Sequence, residues 1–324
     1  MIGKNEKIMC SLIVLNYNGK SLLEEFLPGV ISAAKESTYY CEVVVVDNLS
    51  TDDSIEFLNN KFSEVNLIRM SQNQLLVSYN DALKQLESPY IILLNNDMRP
   101  GPGFVDNIMA HLITDTVFAV SPKIFGIPGN ELQYASAYLH VKKWWIALSS
   151  GIHDIPGLTM LAHGGASGYN RGIFLLLGGF DKIFLPGYAE DLDLSYRAIK
   201  RGYKIMYAPK AVVFHKKGST MNKYYKNRLV FRISLRNHFL FYWKNITDTD
   251  LFVMHFLTLP FRLIINLIRG NTNMIISFFW ALKYIPQIYK NRKEIKSSSK
   301  YKDREILMAF ENIYEKNKKL LTKF

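Results

Sequence analysis

Ile91–Phe104 reads IILLNNDMRPGPGF, and this stretch decides the fold. Four apolar residues run into Asn95, Asn96 and Asp97, and a Pro/Gly-rich turn follows. A short apolar run bounded by turn signals predicts a buried strand of a mostly parallel sheet. Such sheets bind ligands just beyond the carboxyl ends of their strands. Asp97 therefore stands either as a ligand to a metal or phosphate-bearing substrate, or as a turn cap, since Asn and Asp are common in turns.

Outward from this strand the pattern repeats. Ile8–Tyr17 (IMCSLIVLNY), Glu42–Val46 (EVVVV) and Val65–Met70 read as strands, and Tyr90–Leu94 is the strand of the opening stretch. Helical spacing over Leu22–Ala34, Ser54–Phe62 and Asn73–Leu86 separates them, with Ile55, Leu58 and Phe62 expected on one face of the second helix. Such alternation gives an α/β fold with a doubly wound, mostly parallel sheet and right-handed crossovers. The first two strands end in Asn16-Tyr17-Asn18 and Asp47-Asn48, on the sheet edge that carries Asp97. An acid there can accept from a ribose hydroxyl or a base N–H. No G-x-G-x-x-G follows the first strand and no G-x-x-x-x-G-K-[ST] occurs. A dinucleotide dehydrogenase or a P-loop enzyme is thereby disfavoured.

The 324 residues, 48% hydrophobic and 21% charged, suffice for one large domain and a smaller one. Cys10 and Cys41 lie in or beside apolar runs and read as reduced core residues. Met1–Lys7 is polar and shows no signal-peptide pattern, so a cytoplasmic location is expected. Charge is unevenly placed: residues 1–195 balance at −8 and residues 196–324 at +20. A basic, apolar C-terminal third attached to an acidic body points to an anionic partner, membrane lipid or nucleic acid.

Downstream, Val117–Gly165 mixes short strands and loops (FAVSPKIFG, ELQYASAYLHV, KKWWIALSS). Tyr138, Trp144 and Trp145 there serve either as core packing or as platforms for sugar rings. Glu190, Asp191 and Asp193 crowd the start of a helix whose face is Leu192, Tyr196 and Ile199, with Lys200 and Arg201 in its last turn and Gly202 ending it. One acid would suffice to complement the helix dipole, by roughly 0.3–1 kcal/mol. Three together favour one with a raised pKa that acts as a general base. After Tyr203–Tyr207 and Pro209, the apolar run Ala211–Phe214 ends at His215, which is either structural or, like Asp97, a ligand at a strand end.

The ordered series SLIVLNYNG, VVVVDNLSTDDS, NQLLVSYNDAL and ILLNNDMRPGPGF resembles the family-2 glycosyltransferases. The match continues through GGFDKIFLPGYAEDLDLSYRAIKRGYKIMYAPKAVVFH and covers roughly residues 8–218. The resemblance implies the GT-A fold, a nucleotide-sugar-binding domain with a mixed, mostly parallel sheet flanked by helices. It implies inverting transfer of a hexose or deoxyhexose from a nucleotide-diphosphate sugar to a glycan or lipid-linked acceptor, in cell-surface polysaccharide synthesis. It places Asn16, Tyr17, Asp47, Asn48, Asn80, Asn95 and Asn96 around the donor nucleotide. Asp97 corresponds to the last acid of the family's D-x-D element and His215 to its third metal ligand, with Mg²⁺ or Mn²⁺ as the ion. Asp191 supplies the acceptor-activating carboxylate, with Glu190 as second choice. Lys216, Lys217 and Ser219 would meet the diphosphate. The D-x-D element reads Asn95-Asn96-Asp97 here, as in the rhamnosyltransferase-like branch, which leaves fewer anionic ligands for the metal. Asp81 stands where the family usually has Gly.

These expectations assign residues 1–220 to the catalytic domain and 221–324 to a basic amphipathic helical region. Tyr224–Trp243 mixes aromatics, Leu/Ile and Arg in a helical pattern. Leu251–Ile268 and Met274–Tyr289 are apolar but interrupted by Arg262, Lys283, Pro260 and Pro286. A spanning helix needs about 20 apolar residues, and neither segment supplies them free of charge. They read as helices lying in a membrane interface, peripheral to the inner face of the cell membrane, with a core-packed subdomain or dimer interface as the alternative. Tyr289–Lys302 is basic, and a final amphipathic helix carries Ile306, Leu307, Phe310, Ile313 and Tyr314. Nucleic acid suits these apolar segments poorly. An inactive nucleotide-sugar or membrane-surface binding protein of the same fold remains the alternative to an enzyme, and Asn95 is its best support.

Overall fold

The computed structural model describes residues 9–142, 145–151, 154–216 and 227–321. The chain opens with β1 (Cys10–Asn16), α1 (Lys20–Glu36), β2 (Cys41–Asp47), α2 (Ser54–Lys61), β3 (Asn66–Arg69), α3 (Tyr79–Ala82) and β4 (Tyr90–Asn95). It continues through β5 (Met98–Pro100), α4 (Phe104–Leu112), β6 (Val117–Ile127), β7 (Leu132–Tyr134), β8 (Ser136–Lys142), β9 (Trp145–Gly151) and β10 (Gly157–Leu158). Then come β11 (Gly168–Asn170), α5 (Arg171–Leu176), α6 (Glu190–Lys200) and β12 (Lys204–Lys216). Five helices close it: α7 (Asn227–Asn245), α8 (Thr249–Ile268), α9 (Asn273–Leu282), α10 (Ile285–Ser298) and α11 (Asp303–Leu321). The chain divides into two compact units. One comprises Met1–Ser136, Ile152–Phe180 and Lys204–Lys217, the other Ala137–Gly151, Asp181–Tyr203 and Gly218–Phe324.

In the first unit the sheet order among the described residues is β10-β12-β6-β11-β4-β1-β2-β3, with β5 added to β12 and β7 to β6. β1 runs parallel to β2 and β4, β2 to β3, and β12 to β6. β11 is antiparallel to both its neighbours, so the sheet is mixed but mostly parallel. The predicted apolar runs are the buried central strands: Leu12–Val14, Val44–Val46 and Ile91–Leu94 are almost wholly inaccessible. The register pairs Asn16 with Asp47 and Leu15 with Asn95, so the three polar strand ends stand level. α1 buries Leu23, Phe26, Leu27, Val30, Ile31 and Ala34, the helical stripe that the spacing predicts.

Three local expectations are corrected. α2 buries Ser54, Phe57 and Leu58, and Ile55 and Phe62 stay partly exposed. The face has turned to hide Phe57, whose larger apolar surface gains more from burial. Residues 73–86 form one short α-helical turn between two 3₁₀ turns rather than a single helix. Asn73 Oδ1 accepts from Leu75 N (3.0 Å) and Ser78 Oγ from Gln74 N (3.3 Å), local bonds that compete with the helix ladder. Ala211–Phe214, expected as a strand of its own after Pro209, is the later part of the single β12, with a register irregularity between Ala208 and Val212 that accommodates the missing proline N–H.

In the second unit β8 pairs with β9, and α7 buries Ile233, Phe239, Leu240, Phe241, Tyr242 and Trp243. Lys200, expected at the solvated end of α6, is 1% exposed. Its Nζ donates to Asp303 Oδ1 (2.8 Å), Thr247 Oγ1 (2.6 Å) and the Asn245 carbonyl (3.0 Å). Part of the C-terminal charge is thus internal. The apolar segment at 274–289 is split into α9 and α10, because Pro286 sits in the first turn of α10, where its missing N–H is tolerated. α11 buries Ile306, Leu307 and Phe310 as its pattern predicts. α8 departs from expectation. By length and composition it is apolar enough to cross a membrane (20 residues, mean hydropathy 1.9), and little of it is buried.

Candidate functional site

The first unit carries a polar cluster built on the strand ends. Asn16 Nδ2 donates to Asp47 Oδ1 (3.1 Å) and Ser50 Oγ (3.2 Å), and Asn96 Nδ2 donates to Asn16 Oδ1 (2.9 Å). Ser50 N donates to the second Asp47 oxygen at 2.9 Å, so this buried carboxylate shapes the loop that follows β2. Asn48, also buried, donates to the Leu75 carbonyl (3.2 Å). A Cβ on Gly19 would lie 2.3 Å from Asn96 Nδ2 and 2.6 Å from Asn16 Oδ1, so only glycine fits beside that pair. Tyr17 is half-buried beside them. Asn95 faces Gly165, whose added Cβ would fall 2.4 Å from Asn95 Oδ1. Asn80 is used differently: its amide donates to the Phe180 carbonyl (2.7 Å) and accepts from Phe180 N (2.9 Å), locking that turn.

Asp97 and His215 meet, although 118 positions apart in numbering, because β5 pairs antiparallel with β12 in a register that sets His215 opposite Met98. His215 Nε2 lies 3.6 Å from Asp97 Oδ2, and Asp97 is 4% exposed. His215 Nδ1 lies 2.7 Å from Gln133 Oε1. A glutamine carbonyl only accepts, so Nδ1 carries the proton of that bond and Nε2 is the ring nitrogen turned toward Asp97. One carboxylate and one neutral imidazole fit a hard divalent ion that takes its remaining ligands from phosphate oxygens and water. No cluster of three or more His, Cys, Asp or Glu side chains suited to a metal occurs among the described residues. Lys216 pairs with Glu25 at 2.6 Å on the surface, and Lys217 and Ser219 lie outside the described residues.

Sequence reasoning missed Gln133 and His163. His163 is half-buried and packs against Tyr134, ring centroids 4.4 Å apart, and its Nε2 has no hydrogen-bond partner among the described residues. Burial, with the charge of His215 adding to it, pushes its pKa down to about 4, so this imidazole stays neutral. Neither residue sits in an apolar run or a recognisable spacing.

The second unit holds the three acids, which burial and partners make unlike. Asp193 is wholly buried and paired with Arg197 Nε (2.8 Å), Lys244 Nζ (2.8 Å) and Asn245 Nδ2 (2.8 Å). Burial alone would raise its pKa, but Arg197, Lys244 and Asn245 together hold it below the usual range. Glu190 is also buried, and its Oε2 has no hydrogen-bond partner among the described residues. Burial first, and then the charge of Asp191, push its pKa up to about 8. Asp191 is half-buried and accepts from Leu192 N at 2.8 Å. Tyr138 packs internally, its ring 5.8 Å from Tyr314 and its hydroxyl accepting from Asn317 (2.8 Å), which is the core-packing alternative. Trp144 and the side chain of Trp145 lie outside the described residues.

The family described as Glycosyl transferase family 2 matches residues 11–176. The O-antigen chain rhamnosyltransferase RfbN of Salmonella typhimurium is 24% identical over 217 residues, 63% of this chain and 65% of the relative. The N-acetylglucosaminyl-diphospho-decaprenol L-rhamnosyltransferase of Mycobacterium tuberculosis is 23% identical over 247 residues, 65% of this chain and 77% of the relative. The crystal structure of GalNAc-T7 with UDP, GalNAc and Mn²⁺ matches with a TM-score of 0.59 at 17% identity, over 76% of this chain and 49% of that one. The fold is GT-A, as the motif series implies.

Proposed function

We propose, from the premise that this chain belongs to glycosyl transferase family 2, that it moves a sugar from a nucleotide-diphosphate donor to a hydroxyl of a glycan or lipid-linked acceptor. The observation that carries this reading is Asp97 beside His215, beyond the ends of strands that also bear Asn16 and Asp47. The two rhamnosyltransferase relatives support a deoxyhexose donor and a place in cell-surface polysaccharide synthesis. In this reading the acceptor oxygen attacks the anomeric carbon, the bond to the diphosphate breaks with inversion, and the hydroxyl proton passes to Asp191, Glu190 being the second candidate. Asp97 and His215 would hold Mg²⁺ or Mn²⁺, and such an ion would supply positive charge to offset that developing on the leaving diphosphate. Asn16, Tyr17, Asp47, Asn48, Asn95 and Asn96 line or shape the nucleotide side, and Asn80 steadies it through Phe180.

A thermal-shift screen of nucleoside diphosphates with and without Mn²⁺ tests the donor half. Ligand at about 100 times its Kd contributes about 2.7 kcal/mol, a rise of several degrees for a chain of this size. At least one nucleotide should give that shift, and give it only with the metal. A flat response to every nucleotide would remove the reading. The inactive alternative rests on Asn95 standing in place of an acid, and hydrolysis of nucleotide sugars by the purified protein would overturn it.

The same reading assigns residues 1–220 to transfer and 221–324 to a membrane surface. α8 exposes Val253, Phe256, Leu257, Phe261, Ile264, Ile265 and Ile268, an apolar stripe at helical spacing, while its opposite face buries His255 and Leu259. With a surplus of basic residues around it, this stripe suits the cytoplasmic leaflet, lying in the interface among anionic lipids. Burial of one Phe or Leu contributes about 1.5–3 kcal/mol. Leu257→Lys with Phe261→Lys should therefore weaken sedimentation with vesicles containing anionic lipid by more than about tenfold. Binding to duplex DNA in preference to vesicles, measured across a salt series, would overturn the assignment.

A further inference from the structure

α6 begins without a local cap. Ala189 occupies the capping position and has no side-chain acceptor to offer, in place of the usual Ser, Thr, Asp or Asn. The turn before it is also unusual: Gly187, Tyr188 and Ala189 have φ of 143°, 72° and 69°. Two consecutive side-chain-bearing residues in the left-handed region persist only where their surroundings over-determine them.

The surroundings are two adjacent residues of α7. Asn237 is wholly buried, and its Nδ2 donates to the carbonyls of Phe184 (2.7 Å), Gly187 (2.7 Å) and Tyr188 (2.8 Å). Its Oδ1 accepts from Arg236 Nε at 2.8 Å, and Arg236 Nη2 donates to the Leu185 carbonyl. Two turns further along the helix, Lys244 Nζ reaches Asp181 and Asp193, both at 2.8 Å, on either side of the same loop. Four backbone carbonyls between Phe184 and Tyr188 are thus tied to an Arg-Asn pair about 50 residues away in sequence.

We propose that Asn237 is a positioning residue for the reaction, fixing through this loop where the Glu190–Asp191 turn presents its carboxylates. The proposal rests on the reading of that acid pair as acceptor-activating. A base must lie within hydrogen-bond reach of the proton it takes, and a misplacement of about 1 Å can cost on the order of 10²-fold in rate. The hydrogen bonds of Asn237 go to Arg236 and to the loop that leads into α6, so its effect belongs on turnover and not on donor affinity. α7 is then part of the machinery of transfer, beyond any role in membrane contact.

The test uses the full-length chain and three variants, Asn237→Ala, Asn237→Asp and Asp191→Asn. Asn237→Asp keeps the side-chain volume and removes both N–H donors. The readouts are release of nucleoside diphosphate from UDP-GlcNAc, GDP-mannose and dTDP-rhamnose, and the Mn²⁺-dependent thermal shift with the matching diphosphate. Both Asn237 variants should lose about 30- to 100-fold in kcat, with donor KM and the thermal shift within about twofold of the parent. If either fails to fold by circular dichroism, Arg236→Met, which removes one carbonyl tie, should show the same split with a loss of about tenfold. Parental kcat in the Asn237 variants beside an inactive Asp191→Asn would overturn the positioning role and leave the acid pair standing. A fall in kcat matched by an equal fall in donor affinity would also overturn it, as a general structural defect. Parental turnover in both Asp191→Asn and Glu190→Gln would instead remove the acid pair, and the proposal with it.

Discussion

Asp191→Asn is expected to lower turnover by about 10²- to 10⁴-fold and to leave nucleotide binding intact. Three acids share the first turn of α6, and their surroundings separate them. Asp193 is neutralised by Arg197 and Lys244 and is closed to any substrate. Glu190, buried and pushed up to about 8, holds its proton at neutral pH, so the charge of the pair resides on half-buried Asp191. The isosteric amide removes that base without opening a cavity. Because the charge of Asp191 helps to raise the Glu190 pKa, the residual activity of the variant should pass to Glu190 and rise with pH. Stability gives an independent readout. An unfolded Glu190 titrates near 4.5 and the folded one near 8, so between those values the unfolded chain binds fewer protons. This one group therefore makes the protein less stable as pH rises from about 4.5 to about 8, with no further change outside that window. Glu190→Gln should abolish that slope and melt above the parent at pH 8. Melting curves of parent and variant that run parallel from pH 5 to pH 8 would show that Glu190 is not held neutral.

What the sequence disclosed of this site follows from how each residue is placed. Asn16, Asp47 and Asp97 end or directly follow apolar strands, and a parallel sheet aligns such ends, so local pattern alone brings them to one edge. His215 was visible for the same reason, but its approach to Asp97 depends on β5, three residues long, whose pairing with β12 has no signature of its own. Gln133 lies on another three-residue strand and acts only through His215, so nothing in its neighbourhood announces it. The acid turn was legible as three carboxylates and illegible as three different ones. Their separation comes from burial and from the partners of Asp193, of which Arg197 is a turn away on α6 but Lys244 and Asn245 lie on α7, about 50 residues on, where no period records them. Lys200 misled for the mirror reason: a lysine in the last turn of a helix reads as solvated until Asp303 is found beside it. On α2 the stripe was placed one position off, because several stripes of a short helix are nearly equal until Phe57 finds the core.

Asp97→Ala should abolish metal-dependent transfer, by about 10³-fold or more, and erase the Mn²⁺-dependent part of the nucleotide thermal shift. The expectation follows from what stands around it. With Asn95 and Asn96 preceding it, Asp97 is the one anionic residue of its element, and its partner His215, whose Nδ1 lies against Gln133 Oε1, brings no negative charge. All the protein charge that this pair offers a divalent ion therefore resides on one carboxylate. His215→Ala removes an imidazole and keeps that carboxylate, so its loss should be smaller, about 10- to 100-fold, and excess Mn²⁺ should restore part of it. Gln133→Ala should fall below both, because it frees the His215 ring without deleting a ligand. This order, Asp97 over His215 over Gln133, is what a charge-poor metal site requires. A chain in which Asp97 merely caps the turn after β4 would show no order at all, since its removal would cost stability and leave the dependence of turnover on Mn²⁺ concentration unchanged. Titration of each variant with Mn²⁺ at fixed donor separates the two: the apparent metal affinity should fall most for Asp97→Ala, and an unchanged affinity there would reduce Asp97 to a structural cap.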